Sequence, residues 1–167
     1  MLFRSKAYEF WTKSTSPLII DVAVTNPVPG TVQIYPLMSN LSTTPPETLS
    51  AVSTVLNADR IRPLTDTVVV TSPTAVNTTI TVGLILYDGA VQSDILPVVQ
   101  ANLEAFRDGR RKLLGKDVVI DQIKALCMID GVYKANVTVP ATDLVITETQ
   151  FANITTINVT VTGTNAG

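Results

Sequence analysis

Arg62-Pro63-Leu64-Thr65-Asp66-Thr67-Val68-Val69-Val70 reads as the passage from a helix into a strand. Pro63 has no amide to give and holds φ near −65°, so a helix cannot continue through it, and the residue before it is pushed toward extended backbone. The run at 67–71 is β-branched and apolar, the composition of a strand. Arg62 can pair with Asp66 across the tight passage, which makes Arg62, Pro63, Leu64, Thr65 and Asp66 a structural motif that fixes how a helix enters the next strand. A ligand-gripping arginine is the functional alternative.

Upstream, Thr44-Pro45-Pro46-Glu47 offers a capping hydroxyl, two prolines where no amide partner is lost, and a glutamate able to reach back, so a helix should start there and end near Asp59. Leu49, Val52, Val55 and Leu56 fall on one face of it. Before it, two strand-like runs at 18–24 and 31–35 flank the turn cluster Asn26-Pro27-Val28-Pro29-Gly30 and form a hairpin. Hairpin, helix and the strand at 67–71 make one small α+β unit, which with the N-terminal segment spans 1–75.

Downstream, the run at 78–87 is a strand closed by Asp88-Gly89, and Ser93-Asp94 can cap a helix whose inward face is Ile95, Val98, Val99, Leu103 and Phe106. Pro97 is tolerable only if it lies in the first turn of that helix. Asp121 can cap a short helix carrying Ile123, Leu126 and Cys127, with Gly131 as its left-handed terminator. The segments 132–139, 144–147 and 154–162 alternate apolar residues with Thr or Asn, as half-buried strands do, and 163–167 should fray. These form a second α+β unit over 76–167. The fold class is therefore α+β, two small units, each an antiparallel or mixed sheet packed with one or two helices. With 24 threonines and 22 valines, the β-branched content agrees.

Composition narrows function. The 167-residue chain has no histidine, which removes the commonest general base and metal ligand together. Its net charge of −2 sets up no field toward nucleic acid or anionic lipid. Only 16% of residues are charged, against about a quarter in ordinary domains. Such a surface is short of solubilising charge and suits a protein covered by other subunits. No run approaches the roughly 20 apolar residues of a membrane span, and Met1 to Trp11 lacks a signal-peptide core, so the expected place of synthesis is the cytoplasm.

Motifs for nucleotide, zinc, calcium or serine-hydrolase chemistry do not occur. Cys127 sits between Leu126 and Met128 and reads as core, having no histidine to activate its thiol. The carboxylate pairs Asp59 with Asp66 and Asp117 with Asp121 sit where turns and caps are expected. No catalytic, cofactor-binding or metal site is assigned. Asn40, Asn77, Asn136, Asn153 and Asn158 begin N-x-[ST] tripeptides, which would suit a Thr-rich surface adhesin or carbohydrate-binding β domain, but a chain rich in Asn and Thr produces them by chance.

Two clusters remain as candidate contacts. Phe3, Tyr8, Phe10 and Trp11 crowd the first eleven positions and either lie back on the first sheet as a short helix or plug a neighbouring subunit. Arg107, Arg110, Arg111 and Lys112, with Lys116, form the one basic cluster, read either as the solvated end of a helix or as a partner-binding patch.

The run Arg62 to Val70 resembles the R-P-L-T-D-x-V-x-V segment of baseplate J-like proteins. Around it, Pro29-Gly30-Thr31-Val32-Gln33-Ile34 resembles the family's P-G-x-V-x-V strand. Asp130-Gly131-Val132, the strand ending at Pro140, and Asp143-Leu144 are similar to its x-G-V-x-x-V strand and following P-x-x-D. The resemblance runs from about residue 7 to residue 162 and covers the family's C-terminal half; the missing front region implies a short variant or a truncated form. It implies a structural, non-catalytic subunit of a contractile phage tail or tail-like injection device, in the baseplate wedge around the central hub. The expected location is the virion tail baseplate, after assembly in the host cytoplasm. Expected partners are other wedge subunits, copies of itself, and hub or sheath proteins, with no nucleic acid, membrane, small-molecule substrate or cofactor.

Overall fold

The computed structural model describes residues 2–58 and 67–166. The motif Arg62 to Asp66, and Asp59, lie outside the described residues. Contacts gather into two compact units, one comprising Met1–Ala75, Lys112–Gly115 and Thr147–Phe151, the other Val76–Arg111, Lys116–Ile146 and Ala152–Gly167.

The first unit opens with helix α1, Leu2–Thr15. Its last turn is rich in Thr and Ser, residues that compete with helical bonding, yet each hydroxyl bonds back to a carbonyl four residues earlier: Thr12 to Tyr8, Ser14 to Phe10, Thr15 to Trp11. Strands β1 (Ile19–Thr25) and β2 (Thr31–Met38) form the expected antiparallel hairpin, with Gly30 at φ 81° closing the connection. Helix α2 (Pro46–Leu56) then leads to β3 (Thr67–Val70), which pairs parallel to β2 from Thr31 to Ile34, giving the order β1-β2-β3. Pro36 lies on β2 beyond the reach of β3, where the missing amide breaks no ladder on that side. Val52 and Leu56 of α2 pack on Tyr8, Ile19, Val32 and Ile34 to form the core.

The cap of α2 differs from expectation. Pro45 is the N-cap and no side chain caps the helix; Thr44, one residue earlier, is buried and donates its hydroxyl to the Pro36 carbonyl at 2.8 Å. A buried hydroxyl must find a partner, and the end of β2 supplies it. The helix stops at Leu56, where Asn57 donates its side-chain amide to the Ser53 carbonyl at 2.8 Å.

The second unit is built around β4 (Thr74–Tyr87), whose Ile80, Val82, Leu84 and Leu86 alternate inward. Helix α3 (Gln92–Arg111), helix α4 (Ile120–Cys127), β5 (Val132–Val139) and β6 (Gln150–Asn165) follow. The sheet order is β5-β4-β6, with β5 antiparallel to β4. Thr155 and Thr162 donate their hydroxyls to the carbonyls of Thr78 and Leu84, numbers rising together, so β6 runs parallel to β4. Both units thus place a central strand between one antiparallel and one parallel neighbour.

Several expectations fail in this unit. Helix α3 begins at Gln92, ahead of Ser93-Asp94, so Pro97 lies past the first turn; its ring sits on the exposed face, where the lost bond faces solvent. Val98 is 47% exposed, while Ile95, Val99 and Leu103 carry the inward face. Helix α4 starts before Asp121, with Val119 as N-cap. Leu144 to Thr147 is no strand: Leu144 exchanges backbone bonds with Val118, and Ile146 gives its amide to Asp117, so the segment is pinned as a loop rather than paired in the sheet. Gly131, at φ 86°, lies beyond the C-cap Met128 and closes the turn into β5 instead of the helix. The expected frayed end is still strand as far as Asn165, whose carbonyl accepts the amide of Asp88 at 3.0 Å.

Candidate interaction surfaces

Helix α1 divides the N-terminal aromatics. Tyr8 is 3% exposed and belongs to the core with Ile19 and Val22, and Trp11 is half-buried against the same cluster. Phe10 points away, 62% exposed, with its ring edge-on to Trp11 at 5.3 Å between centroids. Phe3 falls in the helix, its side chain outside the described residues. So the segment lies back on the first sheet through Tyr8 and Trp11, and among the described side chains Phe10 is the aromatic it offers outward.

Beside this face, Lys13 bridges two carboxylates, with its ammonium 2.9 Å from Glu9 Oε1 and 3.5 Å from Asp21 Oδ1. Burial pulls the Lys13 pKa down, but the bond to Glu9 and the charges of Glu9 and Asp21 together outweigh it and hold the group above its ordinary value. Asp21 Oδ2 also accepts the amide of Leu114 at 2.9 Å, so one carboxylate satisfies a backbone donor and a cation. Read from sequence, Asp21 is only a strand position; a lone carboxylate inside the apolar run 18–24 was the available signal.

The basic cluster splits between in-chain work and exposed charge. Arg107 pairs with Asp108 at 2.9 Å, and Arg110 stacks over the Phe106 ring at 4.9 Å while donating to Gln122 Oε1. Arg110 and Arg111 occupy the last turn of α3, where cations oppose the helix dipole. Lys112 and Lys116 are exposed, and among the described residues neither has an ion pair. The helix-end role and the patch role therefore fall on different residues of one run.

Of the carboxylates considered for chemistry, Asp117 and Asp121 have in-chain partners. Asp117 Oδ1 accepts the amide of Ile146 at 2.7 Å, and Asp121 lies 3.3 Å from Lys124. Among the described residues no group of three or more His, Cys, Asp or Glu is arranged to hold a metal. Cys127 is wholly buried, and burial pushes its thiol up to about 11. A cleft of about 270 Å³ is lined by Tyr8, Val24, Pro27, Val28, Pro29 and Val32 among others, with Ser5 and Asn26 as its side-chain hydroxyl and amide groups besides Tyr8 and Thr31; among the described residues no carboxylate, lysine or cysteine lines it. Among the described residues no helix is long and apolar enough to cross a membrane.

Comparison with known proteins sets these surfaces in context. Residues 4–72 match the family described as Baseplate J-like central domain, and residues 76–160 the Baseplate J-like protein C-terminal domain. Baseplate protein J of Escherichia phage P2 is 29% identical over 160 residues, covering 95% of this chain and 53% of that protein. A solved structure titled as the cryo-EM structure of the anti-feeding prophage baseplate, 6-fold symmetrised, contains a chain of similar fold, with a TM-score of 0.58 and 14% identity over 90% of this chain and 36% of the other. The present chain spans about half the length of the phage P2 protein it matches. Matched in chain order over both units, it belongs to the baseplate J-like family.

Proposed function

We propose that this chain is a non-catalytic building block of a contractile-tail baseplate, acting in the wedge around the hub by protein–protein contact, in the tail of the assembled particle after assembly in the host cytoplasm. The single observation that carries the proposal is the pair of adjacent baseplate J-like matches, which leave few described residues outside them. A chain with only 16% charged residues supports it, since a surface short of charge gains from being covered. So does the occupation of Asp117 and Asp121 by structural partners. Its contacts are other wedge subunits, copies of itself, and hub or sheath proteins, through Phe10 and the run from Arg107 to Lys112. The motif Arg62 to Asp66 serves to set the path from α2 into β3.

Charge reversal of the basic run tests this. Arg110→Glu with Arg111→Glu, and separately Lys112→Glu with Lys116→Glu, are expected to leave the circular dichroism spectrum of the isolated chain unchanged and to reduce its incorporation into baseplates. If the folded variants enter baseplates as well as the parent, the run serves only its own helix.

A further inference from the structure

Among the described residues, the free edge of β6 has a property that no other strand edge shares. An exposed strand edge presents unpaired amides and carbonyls, and proteins that stay apart protect it with charge, proline, short length or a covering segment. Strand β1 carries Asp21, β5 carries Lys134, and β3 is four residues long. Strand β6 lies at the edge of its sheet over 16 residues, Gln150–Asn165, without one charged residue or proline. Leu114 and Gly115 cover only its beginning, at Phe151 and Gln150. Among the described residues nothing pairs with the far side of 156–162.

That segment is also symmetric in pattern. Ile157, Val159 and Val161 are partly buried on the core side, while Thr156, Asn158, Thr160 and Thr162 are exposed on the other. We infer that β6 is a self-complementary docking strand, on which the β6 of a second copy pairs antiparallel about Val159 and joins two three-stranded sheets into one of six strands. In that register Val159 faces Val159 of the second copy, Ile157 faces Val161, and Asn158 faces Thr160. Apolar residues meet apolar residues on the core face, and Thr or Asn meet Thr or Asn on the other, the pairings that favour antiparallel neighbours. A strand with no charge meets its own copy without like-charge repulsion. An isologous contact of this kind closes after two copies. The inference deepens the assembly role proposed above and rests on it for its setting, but it is tested on the purified chain.

Sedimentation of the full chain is expected to show a dimer, and Val159→Lys or Thr160→Pro a monomer with an unchanged circular dichroism spectrum. Because such variants can disturb the sheet, cysteine pairing gives a second readout. Val159→Cys is expected to form an intermolecular disulfide under mild oxidation and Ile157→Cys alone none, while a mixture of Ile157→Cys with Val161→Cys links; the parent, with Cys127 buried, stays unlinked. A parent monomeric at every concentration, a dimer indifferent to Val159→Lys, linking by Ile157→Cys alone, or an edge filled by another tail protein's strand would each overturn the inference. A monomeric chain that still enters baseplates defeats the edge and spares the assembly role; a dimeric chain that enters none does the reverse.

Discussion

Asp143 accepts the backbone amide of Ile120 at 2.8 Å, and so a loop residue 23 positions away supplies the cap that Val119, the N-cap of α4, has no side chain to provide. A carboxylate at a helix N-terminus satisfies an orphan amide and opposes the positive end of the dipole. Asp117 does the reverse service by accepting the amide of Ile146, so two carboxylates and the Val118–Leu144 bridge tie one loop to the entry of α4.

Removing the first of these caps is expected to cost about 1 kcal/mol, with Asp143→Ala destabilised and Asp143→Asn recovering most of the loss, since the amide oxygen can still accept. Urea unfolding of the three proteins measures it. Equal stability of Asp143→Ala and the parent would mean that solvent caps α4 equally well.

Thr44→Val should be destabilised by about 1–3 kcal/mol, because the substitution keeps the shape but strands the buried Pro36 carbonyl. Thr44→Ser keeps the donor and should lose less. Thermal melts in which valine and serine behave alike would remove the hydroxyl from the account.

At Gly131 two penalties coincide. Its φ of 86° disfavours any side chain, and a Cβ there would lie 2.6 Å from Ile95 Cδ1. The backbone part of Gly131→Ala is about 1–2 kcal/mol. Ile95→Val removes the offending methyl, so in the double variant the clash part should vanish and the backbone part persist, giving a non-additive cycle. Strict additivity would show that Ile95 already moves aside freely.

Alkaline stability should depend on Cys127. Burial raises its folded pKa to about 11 from an ordinary 9.0, so between those values the unfolded chain releases a proton that the folded chain keeps. Stability attributable to this group is intact below pH 9.0 and is lost as pH rises toward about 11. The loss at pH 10 is about 1 kcal/mol relative to Cys127→Ala, which pays a cavity cost independent of pH. Urea titrations of both proteins at pH 8 and pH 10 check it; a difference that does not change with pH contradicts it.

Much of the fold was legible where turn chemistry and periodicity agree. Asn26 to Gly30 announced the hairpin, the prolines at 45 and 46 the start of α2, and the alternation through Ile80, Val82, Leu84 and Leu86 the central strand of the second unit. Positions whose role depends on distant backbone were not legible. Thr44 and Asp121 look like caps until the structure gives Thr44 the carbonyl of Pro36 and gives α4 the carboxylate of Asp143. Leu144 to Thr147 alternates like a strand, but its partners are Val118 and Asp117. Of the candidate contacts, the sequence named two clusters but not the orientation of their members: only packing separates buried Tyr8 from exposed Phe10, and Arg110 on its Phe106 ring from exposed Lys112.

The central claim is that this chain gives shape and contact surface to a tail baseplate. Quantitative mass spectrometry of tail particles purified from the host that carries this gene, with baseplates separated from sheath and tube, tests it most directly. The account predicts the chain in the baseplate fraction at a fixed ratio to the hub protein; complete baseplates lacking it would contradict the account.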